Sequence, residues 1–151
     1  MPEPEAAPGR EFELDIHWRR LVNDWVARND LHADGDDTSV SVEFEVPAAK
    51  RVVTVRFMTT RRLLVAFMTD DRFLRPDQLA MAAAAANAWN TEQLIPMLSV
   101  WDVRGPRPCL AGVCSLPLTF KMTQPDFDSL AGDWTKRAGQ MFTRCQEVFE
   151  I

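Results

Sequence analysis

Between Leu14 and Val26 the apolar residues Leu14, Trp18, Leu21, Val22, Trp25 and Val26 recur at intervals of three and four. That spacing puts them on one face of a helix, with Arg19, Arg20, Asn23 and Asp24 opposite. The rhythm stops at DLHADGDDT, residues 30 to 38, a polar stretch around Gly35 that reads as a turn. It resumes with a period of two: Val40, Val42, Phe44 and Val46 alternate with Ser39, Ser41, Glu43 and Glu45. This is the pattern of a half-buried strand with one wet face. PAAK turns the chain, and Val53, Val55 and Phe57 then share one parity in RVVTVRFM. Arg61 and Arg62 mark the next turn, and LLVAFM, less amphipathic, predicts a third and more central strand. Three short strands with tight connections predict an antiparallel meander.

Asp70 and Asp71 break the pattern, and Pro76 opens a second helix, where a missing amide costs least, that runs to about Asn90. Residues 94 to 103, LIPMLSVWDV, predict a fourth strand with Pro96 near its start or on an edge. RGPRP turns into a fifth strand, CLAGVCSLPL, in which Gly112 and Pro117 suggest a bulge or an irregular end. Thr123 then caps a final helix, with Pro125 in its first turn and Asp126 placed to reach back. Its stripe is Phe127, Leu130, Ala131, Trp134, Ala138, Met141, Phe142, Cys145 and Phe149. The expected fold is α+β in the order α-βββ-α-ββ-α, an antiparallel sheet packed with helices. Residues 1 to 11, rich in Pro, Glu and Ala, are expected to be a loose leader to a single domain at 12–151.

Six of the seven positions from Ala80 to Ala86 are alanine. At about 100° per residue, Leu79, Ala82, Ala83, Ala86 and Trp89 cover one face of the second helix. Met81, Ala84, Ala85 and Ala88 cover the other. A helix apolar nearly all round is buried on both sides or has one side covered by another subunit. The plainer alternative is that alanine is the best helix former and some positions face water. The candidate dimer or partner interface is Met81, Ala84, Ala85 and Ala88, with Trp89 and Trp101 flanking the connection to the fourth strand. Tryptophan is enriched at binding hot spots, although two core residues give the same pattern. Asn90 reads as a helix terminator, and Asn87 as a partner of the neighbouring connection or a plain surface residue.

Asn87-Ala88-Trp89-Asn90 at a helix end, LIPMLSVWDV after it, a strand ending in Leu116-Pro117-Leu118, then a cap and a long last helix together resemble the YbjN family. The resemblance runs from about Trp18 to Phe149. That family is loosely assigned to sensory transduction regulators of bacteria, and its fold is similar to that of type III secretion chaperones. The resemblance implies a three-layer domain that often dimerises, and it implies no known catalytic activity. Chaperones of that fold bind an extended segment of a client protein, a property that comes to this chain by fold analogy alone.

A length of 151 residues suits one domain, and 46% hydrophobic against 26% charged residues is a globular balance. Lys plus Arg is 17 against 22 Asp plus Glu, a formal charge of −5 that gives no global attraction to nucleic acid. MPEPEAAPGREFE lacks the basic and apolar runs of a signal peptide, and no apolar run suits a bilayer, so a cytoplasmic protein without membrane contact is expected. Cys109 and Cys114 lie five apart in a strand and so point to opposite faces, while Cys145 falls on the last helix's stripe; structural thiols are expected. Asp30 to Asp36 resembles the start of a calcium loop, but His32 stands at position three and Ser41 at position twelve, so a solvated turn is favoured. His17 and His32 have no catalytic neighbours, and neither a nucleophile elbow nor a phosphate loop occurs. Lys50, Arg51, Arg56, Arg61 and Arg62 make the first hairpin basic, either as a small patch for an acidic peptide or phosphate or as charges that solvate exposed strands. No catalytic, cofactor or metal residue is assigned. The expected function is a non-enzymatic, protein-binding or chaperone-like regulatory domain working as a homodimer. The alternative is a small-molecule sensor or an uncharacterised enzyme with its pocket between sheet and helix.

Overall fold

Two rows of apolar residues run side by side across one face of the sheet of this computed structural model, which describes residues 9–151. Val42, Val55, Met68, Gly112 and Leu98 stand side by side in one row, and Val40, Phe57, Ala66 and Cys114 in the next. All nine are buried. The strands that carry them are β3 (Ser39–Val46), β4 (Arg51–Thr60), β5 (Leu63–Asp70), β6 (Met97–Trp101) and β7 (Cys109–Pro117), and β2 (His32–Gly35) joins them at one edge. They form one antiparallel sheet in the order β2-β3-β4-β5-β7-β6. β5 is interior, as its reduced amphipathicity predicts.

Helices α1 (Leu14–Arg28) and α3 (Gln124–Phe149) cover the inner face of this sheet. Trp25 of α1 meets Phe57 of β4 edge-on at 5.9 Å between ring centroids, and Phe57 in turn tilts against Phe127 of α3 at 6.4 Å. Each such fully buried side chain contributes about 1.5–3 kcal/mol relative to exposure. Thr123 caps α3 as expected, its hydroxyl accepting from the Asp126 amide at 3.2 Å. Helix α2 (Leu79–Gln93) follows a 3-10 turn at Pro76–Gln78 and lies beside the β6 edge and α3. No helix among the described residues is long and apolar enough to cross a membrane.

Five expectations change. DLHADGDDT is not only a turn: His32–Gly35 pairs with β3 as an edge strand. Three of its four residues are exposed and only Ala33 packs against the core, so no alternation betrays it. The leader yields to structure at Glu11: β1 (Glu11–Glu13) pairs with β8 (Lys121–Thr123) in a separate ribbon, while residues 1–8 lie outside the described residues. Gly112 sits in regular register with both Met68 and Leu98, so no bulge occurs there. Its reason is packing: a Cβ at this position would lie 2.7 Å from Met141 Cε and 3.2 Å from Pro96 Cβ. The helices cover one face of the sheet, giving two layers where the resemblance implied three. Arg51, expected in a basic surface patch, is buried: its Nη1 donates to Asp70 at 2.8 Å, and its Nη2 donates to Gln146 at 2.9 Å and to the Ile151 backbone oxygen. Burial pushes the Asp70 carboxyl up against the pull of Arg51, and pushes the Arg51 guanidinium down.

Candidate functional site

Helix α2 explains its own terminal tetrapeptide. Trp89 Nε1 donates to the Pro96 oxygen at 2.8 Å. Asn90 Nδ2 donates to the Leu98 oxygen, and Asn90 Oδ1 accepts from the Leu98 amide, both at 2.8 Å. β6 is an edge strand, so the backbone groups of Leu98 that face away from β7 would otherwise need water or another strand. Two consecutive helix residues therefore seal the edge in place of a neighbour. Asn90 is not the terminator: the helix continues to Gln93, and Leu94 takes the positive φ of 64° beyond it. Asn87 is exposed, and its backbone oxygen accepts from the Thr91 hydroxyl. The alanines let the α2 backbone come close enough for a side chain as short as asparagine to reach the strand.

That clamp fixes the rotation of α2. Ala82, Ala85, Ala86 and Trp89 form the buried stripe, and Ala80, Met81, Ala83, Ala84 and Asn87 are exposed, with Ala88 half-buried between them. Among the six interface candidates the structure thus brings Met81, Ala84 and Ala88 to one outward flank. Ala85 and Trp89 instead point into the domain, 1% and 4% exposed. An even wheel assigned Ala85 outward and Ala83 inward because it could not see the Trp89 and Asn90 bonds that set the phase. Glu92, one turn past the clamp, pairs with both terminal nitrogens of Arg144 and ties α2 to α3.

Trp101 belongs to a different surface. The outer face of the sheet carries Met97, Val113 and Phe67 in one cross-strand row, with Arg56 and Ser41 continuing it. Trp101 lies over its own strand, Nε1 donating to Ser99 Oγ at 3.1 Å, and its ring meets Phe67 edge-on at 4.7 Å. Ser99 pairs with Ala111, so small side chains beneath the indole let it lie down. Met97 remains 55% and Trp101 46% exposed, with Val65 and Met58 half-buried alongside. The result is an apolar band on an open sheet face. Sequence reasoning named Trp101 but missed Met97, Phe67 and Val113, because their common face follows from the strand order and not from local spacing.

A groove of about 480 Å³ opens on the other side, between the end of α1, β3 and α3. Trp25, Leu31, Phe44 and Val46 supply its apolar surface, and Asn29, Thr135 and Lys136 are at its sides. Gly132 and Gly139 of α3 also line it. A Cβ on Gly132 would meet nothing within 4 Å, and one on Gly139 would touch Val46 at 3.8 Å, an ordinary contact. Neither glycine is demanded by packing, yet each costs a helix interior about 1 kcal/mol relative to alanine.

Among the described residues no three His, Cys, Asp or Glu side chains gather where they could hold a metal ion. Arg56 faces outward, donating to Ser39 Oγ at 3.0 Å, while Arg61 and Arg62 lie at the far end of β4 from Arg51. The ten residues of β4 separate those ends by roughly 30 Å, so the basic residues of the hairpin form no single patch. His17 packs edge-on to Phe12 at 5.3 Å, and His32 sits exposed on the sheet edge opposite Glu43. Asp36 turns the β2–β3 hairpin by accepting from the amides of Thr38 and Ser39. Burial pushes the Cys114 thiol up to about 12 and the Cys145 thiol up to about 11, and also raises Cys109. As expected, Cys114 faces the core, and Cys109 lies on the outer face opposite Trp101.

No family model and no curated protein matches the sequence. Among solved structures the fold is similar to that of YbjN, a proposed transcription regulator from E. coli, with a TM-score of 0.69 over 85% of this chain and 90% of that one. Sequence identity is 12%, so the likeness concerns the fold. The chain is therefore an α+β protein with an antiparallel sheet packed against helices, similar in architecture to YbjN.

Proposed function

We propose that this chain is a non-enzymatic regulatory domain that binds another protein in the manner of a chaperone and works as a cytoplasmic homodimer. The observation that carries the proposal is the open apolar band of Met97, Trp101, Phe67 and Val113 on the outer sheet face. An exposed face with a tryptophan and a methionine on its edge strand suits a partner that contributes apolar side chains. The outward flank of α2, with Met81, Ala84 and Ala88, supplies the contact between copies. The fold it shares with a proposed regulator supports a regulatory role by analogy.

Light scattering over a concentration series tests the assembly. The expected result is a dimer for the intact chain and a folded monomer for Ala84→Glu, because Ala84 is exposed and a charge there meets only the second copy. Ala85→Glu should instead unfold the domain, since Ala85 is 1% exposed. A concentration-independent monomer removes the dimer from the proposal. Protection of heat-treated citrate synthase from aggregation tests the sheet face. Trp101→Arg should abolish protection at unchanged melting temperature, and undiminished protection by that variant refutes the assignment of the face.

A further inference from the structure

We propose that the groove between α1, β3 and α3 is a binding site for a small amphipathic carboxylate, distinct from the protein-binding face. Its volume of about 480 Å³ falls within the range of about 300–1,000 Å³ typical of small-molecule sites. Its surface divides by chemistry. Trp25 and Val46, both buried, and half-buried Leu31 and Phe44 give an apolar bed. At the margin stands Lys136, exposed and without an ion-pair partner among the described residues. Glu45 also borders the groove, but strand alternation sends its side chain to the opposite face from Phe44 and Val46. Lys136 is therefore the charge that a bound head group meets, and charge complementarity selects an anion with an apolar body.

The α3 wall fits the same occupant. Gly132, Thr135, Lys136 and Gly139 recur at helical spacing and share one face. From Gly132 to Gly139 the helix rises about 10 Å, a length that suits a medium fatty-acid chain. Open space above the Gly132 backbone leaves the bed accessible from that side. Thr135 turns its hydroxyl back onto the Ala131 and Gly132 oxygens at 3.1 and 2.9 Å, so that hydroxyl is already engaged within the helix.

The test is titration of the full chain with octanoate, followed by amide chemical shifts, with octanamide as the neutral probe of the same shape. Saturable shifts are expected at Leu31, Gly132, Thr135, Lys136 and Gly139. Lys136→Gln should weaken octanoate at least tenfold and leave octanamide unchanged. Gly132→Leu should abolish both while keeping or raising the melting temperature, since leucine is a better helix former and its Cβ meets no atom within 4 Å. Equal affinity for octanamide in the unaltered chain overturns the carboxylate assignment. Absence of shifts at these amides, or binding that survives Gly132→Leu, overturns the site. Shifts that follow protein concentration and not octanoate mark the groove as a contact between copies and also overturn it. None of these outcomes bears on the sheet face, which Trp101→Arg tests separately.

Discussion

Replacing Asn90 with alanine removes both hydrogen bonds that close the β6 edge. The Leu98 amide and oxygen each lose a partner at 2.8 Å, and Leu98 itself is 1% exposed, so water does not readily replace either. A net hydrogen bond is worth about 1 kcal/mol, and a buried group left unpaired costs about 1–3 kcal/mol, which together predict a loss of roughly 2–4 kcal/mol. At this chain length each kcal/mol lowers the melting temperature by about 2–4 °C, so a fall of roughly 4–16 °C is expected. The control is Asn87→Ala, one turn earlier on an exposed flank, which should stay within about 0.5 kcal/mol of the unaltered chain. Urea unfolding gives the free energies, and hydrogen exchange localises the loss. In Asn90→Ala the Leu98 amide should lose protection before the Leu64 amide at the sheet centre. If Asn90→Ala and Asn87→Ala are equally stable and Leu98 keeps its protection, the edge-sealing account of the Asn-Ala-Trp-Asn segment is wrong.

Arg51→Met leaves the 4%-exposed Asp70 side chain without its counter-charge and should destabilise by about 3–5 kcal/mol. The double variant Arg51→Met/Asp70→Leu should recover most of this in a denaturation cycle, and simple additivity would refute the pairing. Gly112→Ala brings a methyl to 2.7 Å from Met141 Cε and should cost about 1–3 kcal/mol; combining it with Met141→Leu should cost less than the sum of the two. The amide and hydroxyl of Thr38 and the amide of Ser39 hold the Asp36 carboxyl down at about 2, below its usual 3.8. A lowered acid stabilises fully above the usual value, and that support is lost as pH falls through about 2. The Thr38 and Ser39 amide shifts should therefore move together in that window, and an Asp36→Asn chain that titrates identically would contradict the assignment.

Periodicity determined α1, β3, β4 and α3, because each buries one face and repeats its apolar residues at its own geometric period. Val40, Val42 and Phe57 were placed in the core by alternation alone, and Thr123 was legible as a cap from its own side chain and the residues after it. The short strands β1, β2 and β8 left no such trace, since an element of three or four residues is too short to show a period. Arg51 and Asp70 looked like turn charges because nothing local reveals that strand pairing and α3 enclose them together. The phase of α2 was equally hidden: alanine on every side makes all rotations look alike. Only the reach of Trp89 and Asn90 to β6 chose one, burying Ala85 and exposing Ala84. The open band around Trp101 and the groove beneath Gly132 arise in the same way. Each joins residues far apart along the chain, which local pattern does not encode and the packing of strands and helices decides.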